Sequence, residues 1–209
     1  MPSSFLIVLA ALLAYLIGGL PFGYWFVRFS SGKDIRTMGS GNIGATNVHR
    51  TAGGVAGVIV LLLDIFKGFV AVALAAYLTH NDAVGVALSA VAVMLGHCYP
   101  VFLQFKGGKA VACYIGVFFY LAPLALLAVA VVFLLTVALS KHISLGSLIG
   151  VICFPFALWF LYTPAAPITL AAIAAAVLII FRHKANIERL RKGEEHVFSL
   201  KGGKAVRNP

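Results

Sequence analysis

Residues 110–140 read AVACYIGVFFYLAPLALLAVAVVFLLTVALS, thirty-one positions without one charged side chain. An α-helix rises about 1.5 Å per residue and a bilayer's hydrocarbon core is about 30 Å thick, so one crossing takes roughly 20 residues. The stretch is too long for a single crossing, and Pro123 stands where a helix would have to break or kink. It therefore predicts two helices, 110–122 and 124–140; one kinked crossing, giving six in all, is the alternative. Working outward, further apolar segments lie at 4–28, 54–78, 83–103, 145–162 and 166–182, and a polar tail follows over 183–209.

The composition agrees. The chain is 62% hydrophobic and 11% charged, with a mean hydropathy of +1.03. Soluble domains carry about 25% charged residues. The fold class expected is an all-α integral membrane protein, a single membrane domain over 1–209 with seven transmembrane helices. The first apolar run lacks a basic leader and continues to about Val27, so it reads as a retained helix and not as a signal peptide.

Sixteen Lys and Arg face six acids, a net charge of +10. In a soluble chain this would suggest nucleic acid; here it suggests anionic headgroups or anionic substrates. Arg28, Lys33, Arg36, Arg50, Lys106, Lys109, Lys141 and the eight cations from Arg182 onward fall on alternate connections. The His80-Asn81-Asp82, Pro123 and Thr163-Pro164-Ala165 connections carry none. The bias predicts an N-terminus outside, a C-terminus in the cytoplasm, and every polar loop of interest on the cytoplasmic face. Cys98, Cys113 and Cys153 are odd in number and lack metal spacing, so neither a disulfide framework nor a zinc site is expected.

Three polar stretches could carry chemistry. Gly39 to Asn47 holds Gly39, Gly41 and Gly44 among Ser40, Asn42, Thr46 and Asn47, and Arg50 follows. Glycines let backbone N–H groups close around an anion, and arginine clamps phosphate with two donors. The spacing approaches a nucleotide-binding P-loop, but position 45 is Ala where that loop needs lysine, so a nucleotidase is rejected. In the second stretch, Lys106 and Lys109 flank Gly107-Gly108 just before an apolar helix, whose N-terminus would favour an anion. The alternative is a pair of lysines at a membrane edge. In the third, His183, Asn186 and Arg189 recur at helical spacing on one face; an amphipathic helix lying on anionic lipid is the alternative. Within the second helix, Asp64 and Lys67 stand three apart and can pair. His97 reads as a packed histidine. KGGKAV, 106–111, recurs at 201–206; only the first copy precedes an apolar helix.

GSGNIGATNVHR, GHCYPVFLQFKGGKAVA and HKANIERLRKGEE resemble, in order, the three cytoplasmic motifs of the bacterial membrane glycerol-3-phosphate acyltransferases that use acyl-phosphate, the PlsY family. LLLDIFKG and HISLGS resemble two further segments of that family. The resemblance departs at Ala110, where the family usually has Gly, and at Cys113, where Thr is common. It implies seven transmembrane helices in the bacterial cytoplasmic (inner) membrane, with the active site on the cytoplasmic side. It also implies transfer of a fatty acyl group from acyl-phosphate to the 1-position of sn-glycerol 3-phosphate, the first acylation of phospholipid synthesis.

Arg50, Lys109, His183 and Asn186, with Ser144 at the rim, resemble the family's acceptor-binding set and are assigned the phosphate of glycerol 3-phosphate. The acyl-phosphate head is assigned to Ser40, Asn42, Thr46 and the backbone of Gly39, Gly41, Gly44 and Asn47. Lys106, Gly107, Gly108 and Glu195 complete the expected substrate-binding set, with Ser40 also counted among the reacting residues. No cofactor or metal is expected, and the partners are the two substrates and membrane lipids. No Ser-His-Asp triad is evident. A membrane transporter of organic phosphates is the alternative function, although no internal repeat supports it.

Overall fold

The computed structural model describes residues 2–198, and these hold ten α-helices with no strand among them. The repeated KGGKAV at 201–206 lies outside the described residues. Helix α1, Ser4–Gly18, and α2, Phe22–Ser31, replace the single helix expected over 4–28. Proline at 21 has no N–H to continue the ladder, so the chain breaks over Gly19-Leu20-Pro21. At the break the Leu20 carbonyl accepts from Phe22 N at 3.2 Å and from Lys67 Nζ at 2.8 Å.

Helix α3, Ala45–Ala52, is a short helix inside the connection expected to be loop. Then come α4, Gly54–Leu78, and α5, Ala83–Cys98. The 110–140 stretch forms α6, Val111–Leu121, and α7, Pro123–Ser140. The fold closes with α8, Ile143–Tyr162, α9, Ala166–Arg182, and α10, Lys184–Lys192. Five stretches are long and apolar enough to span: Ser4–Ser31, Gly54–Leu78, Ala83–Leu103, Pro123–Ser140 and Ile143–Tyr162. The α9–α10 pair, bent by 56° at His183, makes a sixth. Helix α6, at eleven residues, is shorter.

Lipid tails are as apolar as leucine, so the helices associate through close van der Waals fit and small residues. Helix α4 packs on α6 in this way. A Cβ on Gly68 would run into the Cys113 carbonyl, and one on Gly116 into that of Ile65. Tyr114 and Phe118 of α6 then meet Phe154 of α8, with ring centroids 5.2 and 4.4 Å away. α1 and α4 both pack on α5, and α9 packs on α5 and α8. Large side chains such as Phe66, Leu139 and Phe160 face outward, as lipid contact requires.

Inside this shell sits one ion pair. Asp64 and Lys67, each 3% exposed at the side chain, meet at 2.7 Å, and Lys67 also lies over the Phe22 ring at 5.5 Å. His97 Nδ1 stands 3.7 Å from Asp64 Oδ1. Lys67 thus joins α4 to the α1–α2 break, a structural role. Lys67→Met leaves Asp64 buried without its cation and is expected to cost roughly 3–5 kcal/mol. Adding Asp64→Leu is expected to restore most of that loss. Thermal unfolding of the two variants in detergent measures both.

Candidate active site

The polar residues gather where α8, the α9–α10 bend and the chain after α10 meet. Glycine 193, at φ +71°, turns the chain back after α10. The return segment delivers Glu195, which is 9% exposed. Its Oε1 accepts from Ser144 Oγ at 3.1 Å and from Asn186 Nδ2 at 2.7 Å. Its Oε2 accepts from Arg189 Nε at 2.8 Å. Asn186 is oriented by that bond, so its Oδ1 turns to accept from Lys109 Nζ. The return segment is held further along: Phe198 N donates to Lys141 O at 2.8 Å, and the Phe198 ring lies 5.6 Å from that of His49 on α3.

Burial alone would push the Glu195 carboxyl up. The hydrogen bonds from Asn186, Arg189 and Ser144 and the charge of Arg189 outweigh it and hold the group below its usual range. Burial pushes Lys109 down to about 8, and the cations Arg189, Arg50 and Arg182 add to the fall while Glu195 opposes it. Arg50, half-buried on α3, is lowered first by burial and then by Arg189, and Glu195 again opposes. Arg50, Lys109, Arg182 and Arg189 outnumber the one carboxylate, so the cluster keeps a surplus of positive charge. Such a place calls for an anion.

His183 is 3% exposed and its Nδ1 lies 2.8 Å from the Ile179 carbonyl. A carbonyl only accepts, so Nδ1 carries the proton and the neutral ring offers Nε2 as an acceptor. This geometry suits a hydroxyl better than the phosphate expected from the sequence.

The glycine-rich loop is built around Asn47, which is 1% exposed. Its Nδ2 donates to the carbonyls of Met38 and Asn42 at 3.0 and 2.8 Å, and its Oδ1 accepts from Ser40 N at 2.9 Å. The Asn47 side chain is therefore occupied in shaping the loop, and its backbone N–H, expected to meet the acyl-phosphate, donates instead to Gly44 O at 3.0 Å. Asn42 Oδ1 likewise accepts from Gly44 N at 2.8 Å. Gly39 and Gly41 take φ of +56° and +71°, which glycine adopts at little cost. Ser40 and Thr46 are exposed. Ala45 and Thr46 open α3, where a helix leaves its first N–H groups without intrahelical partners.

The two lysines of the KGGK turn part company. Lys106 is exposed, while Lys109 is drawn into the cluster. The glycine N–H groups are not open to a ligand: Gly107 N donates to Cys98 O at 3.1 Å and Gly108 N to His97 O at 2.9 Å. Gly108 also lies so close to the His97 ring that any Cβ would collide with Nε2. Both glycines thus shape the turn, a correction to their expected substrate contact. Arg182, which sequence reasoning left unassigned, donates to both of their carbonyls. A cation placed at the last turn of an otherwise apolar helix was the available signal.

An apolar groove of about 410 Å³ between α8 and α9, lined by Ile152, Pro155, Trp159 and Ile173 among others, includes none of these polar residues.

The family model for glycerol-3-phosphate acyltransferase matches residues 8–193. The chain is 46% identical over 185 residues to a glycerol-3-phosphate acyltransferase of Desulforamulus reducens, covering 87% of this chain and 90% of that one. It is 44% identical over 197 residues to one of Syntrophotalea carbinolica, covering 94% and 98%. It also resembles crystal structures of PlsY, an integral membrane glycerol 3-phosphate acyltransferase. The glycerol 3-phosphate form aligns with a TM-score of 0.87 at 38% identity, over 92% of this chain and 96% of that one. The lysophosphatidic acid form aligns at 0.84 and 36%, over 93% and 96%.

Ala110, where the resemblance departs from glycine, is fully buried at φ +62°. A side chain in the left-handed region costs about 1–2 kcal/mol. Ala110→Gly is expected to stabilise the protein by about 1 kcal/mol, after allowing for the greater freedom of glycine in the unfolded chain. A rise in the unfolding temperature in detergent is the readout.

Proposed function

The chain belongs to the glycerol-3-phosphate acyltransferase family, and we propose that it moves a fatty acyl group from acyl-phosphate to the 1-hydroxyl of sn-glycerol 3-phosphate. The observation that carries this reading is the surplus of positive charge around Lys109, Asn186 and Glu195. A phosphate monoester carries close to two negative charges at neutral pH. Arg50 and Lys109 bind the acceptor's phosphate, with Asn186 and Ser144 completing its surroundings. His183 Nε2 receives a hydrogen bond from a glycerol hydroxyl and orients it. The loop around Ser40, Gly41, Thr46 and the start of α3 holds the phosphate of the donor.

The 1-hydroxyl oxygen attacks the acyl carbonyl carbon, and the bond from that carbon to the phosphate oxygen breaks. The hydroxyl proton passes to the departing phosphate. The products are 1-acylglycerol 3-phosphate and orthophosphate, and no covalent enzyme intermediate forms. The donor is already activated, so positioning and charge stabilisation supply the rate.

We also propose seven crossings with α6 as the short one. Lys109 before α6 and Ser144 after α7 both join the Asn186–Glu195 cluster, which favours an even number of passages between them. The Leu124 N–H donates to the Tyr162 hydroxyl at 2.9 Å, which sets the α6–α7 turn beside the opposite end of α8. The positive-inside bias supports a cytoplasmic active site at the inner membrane of a bacterium, an external N-terminus, and a cytoplasmic tail over 183–209.

Purified protein given palmitoyl-phosphate and glycerol 3-phosphate is expected to release orthophosphate only when both are present. Palmitoyl-CoA is expected to be inert as donor; activity with the CoA ester, or release independent of acceptor, would overturn the donor assignment. The lysine supplies a pH test. Lys109 binds phosphate when charged and loses its proton as pH rises through about 8, by which point the acceptor phosphate is already dianionic. Accordingly kcat/KM for glycerol 3-phosphate should fall above about pH 8. Lys109→Met should lower kcat/KM about 100-fold at pH 7 and remove that alkaline fall.

A further inference from the structure

We infer that Arg182 is a positioning residue for the acceptor phosphate, acting through the Gly107-Gly108 turn to aim Lys109. The inference rests on the acceptor site proposed above. Arg182 ends α9, one residue before the bend. Its Nε donates to Gly108 O at 3.0 Å and its Nη2 to Gly107 O at 2.9 Å. The guanidinium lies over the Tyr99 ring at 5.0 Å. Tyr99 is anchored in turn, since its carbonyl accepts from the Tyr15 hydroxyl of α1 at 2.7 Å.

The physical need is specific. A Gly-Gly pair is the most mobile dipeptide a chain can carry, and the next residue is the lysine that must meet a phosphate. A misplacement of about 1 Å at a binding group can cost about 100-fold in rate. Here all four backbone groups of the pair are held. The two N–H groups go to Cys98 and His97 at the end of α5, and the two carbonyls go to Arg182 at the end of α9. The turn is thereby clamped between two helices. One clamp comes from the helix that leads, four residues later, to Asn186, the partner of Lys109. Arg182 therefore sets Lys109 and Asn186 in register with one another.

Two adjacent carbonyls need a planar fork of donors, which arginine has and lysine lacks. Arg182 turns that fork on the backbone, with Nε and Nη2 both spent on carbonyls. Its charge still acts on Lys109, so the two cations are neighbours.

The test is steady-state kinetics of Arg182→Gln and Arg182→Lys with palmitoyl-phosphate and glycerol 3-phosphate, beside wild type and Lys109→Met. Wild-type activity is established first; its absence would count against the proposed function and leave no basis for this inference. Given that activity, both Arg182 variants are expected to raise KM for glycerol 3-phosphate about tenfold or more. The donor's KM should stay within about twofold. Lysine should not rescue, because the fork and not the charge is required. In the Lys109→Met background, Arg182→Gln should have little further effect, since it acts through that lysine. Acceptor KM within twofold of wild type, rescue by lysine, or additive losses in the double variant would each overturn the proposal. Should Arg182→Gln unfold, Tyr99→Leu removes the ring beneath the guanidinium and so loosens its hold on the two carbonyls. It is expected to raise the acceptor KM severalfold with the donor KM unchanged, and equal acceptor KM values would overturn the proposal.

Discussion

A carboxylate set among cations organises the polar end of this protein. Glu195 accepts from Ser144 of α8 and from Asn186 and Arg189 of α10. Through Asn186 its influence reaches Lys109, on the connection that precedes α6. Without that carboxylate, Arg50, Lys109 and Arg189 would repel one another in a half-buried space. With it, they stay together and remain in surplus. That surplus would attract a dianion, as the proposed acceptor site for a phosphate ester requires.

The membrane imposes the second constraint. Backbone groups shut off from water, by lipid or by packing, must be satisfied from within. At the α1–α2 break Lys67 adds a side-chain donor to the Leu20 carbonyl, and Asp64 supplies the lysine's counter-charge. At the KGGK turn, the carbonyls of His97 and Cys98 and the guanidinium of Arg182 perform the same service. In the glycine-rich loop a single amide, that of Asn47, joins four parts of the backbone when the longer 3.5 Å approach to Ile35 O is included. In each case the polar side chain nearest the irregular backbone is structural.

Much of this was legible in the sequence because the signals are local. Apolar length and Pro123 announce the helices of the 110–140 stretch, and Asp64 and Lys67 announce a pair by their spacing. The site was harder to read. Gly107 and Gly108 look like an anion cradle, yet their N–H groups are taken by carbonyls about ten residues earlier. Asn47 has the chemistry of a ligand contact and spends it on its own loop. Lys106 and Lys109 are indistinguishable by type, and only packing draws one inward. Arg182 resembles a membrane-edge cation, and its role depends on a turn 75 residues away.

The sequence by itself determined that this is a helical membrane protein whose polar stretches lie between apolar ones. Hydrophobic length, helix-breaking residues and charge bias are properties of short segments, and water and lipid sort them whatever the fold. Tertiary structure decided which polar groups remain for a ligand. A donor or acceptor is consumed or left open according to what approaches it. Some of the approaching groups are local, as at Asn47 and at the N–H groups of Gly107 and Gly108; others, Arg182 and the partners of Glu195 and Lys109, come from segments distant in the chain.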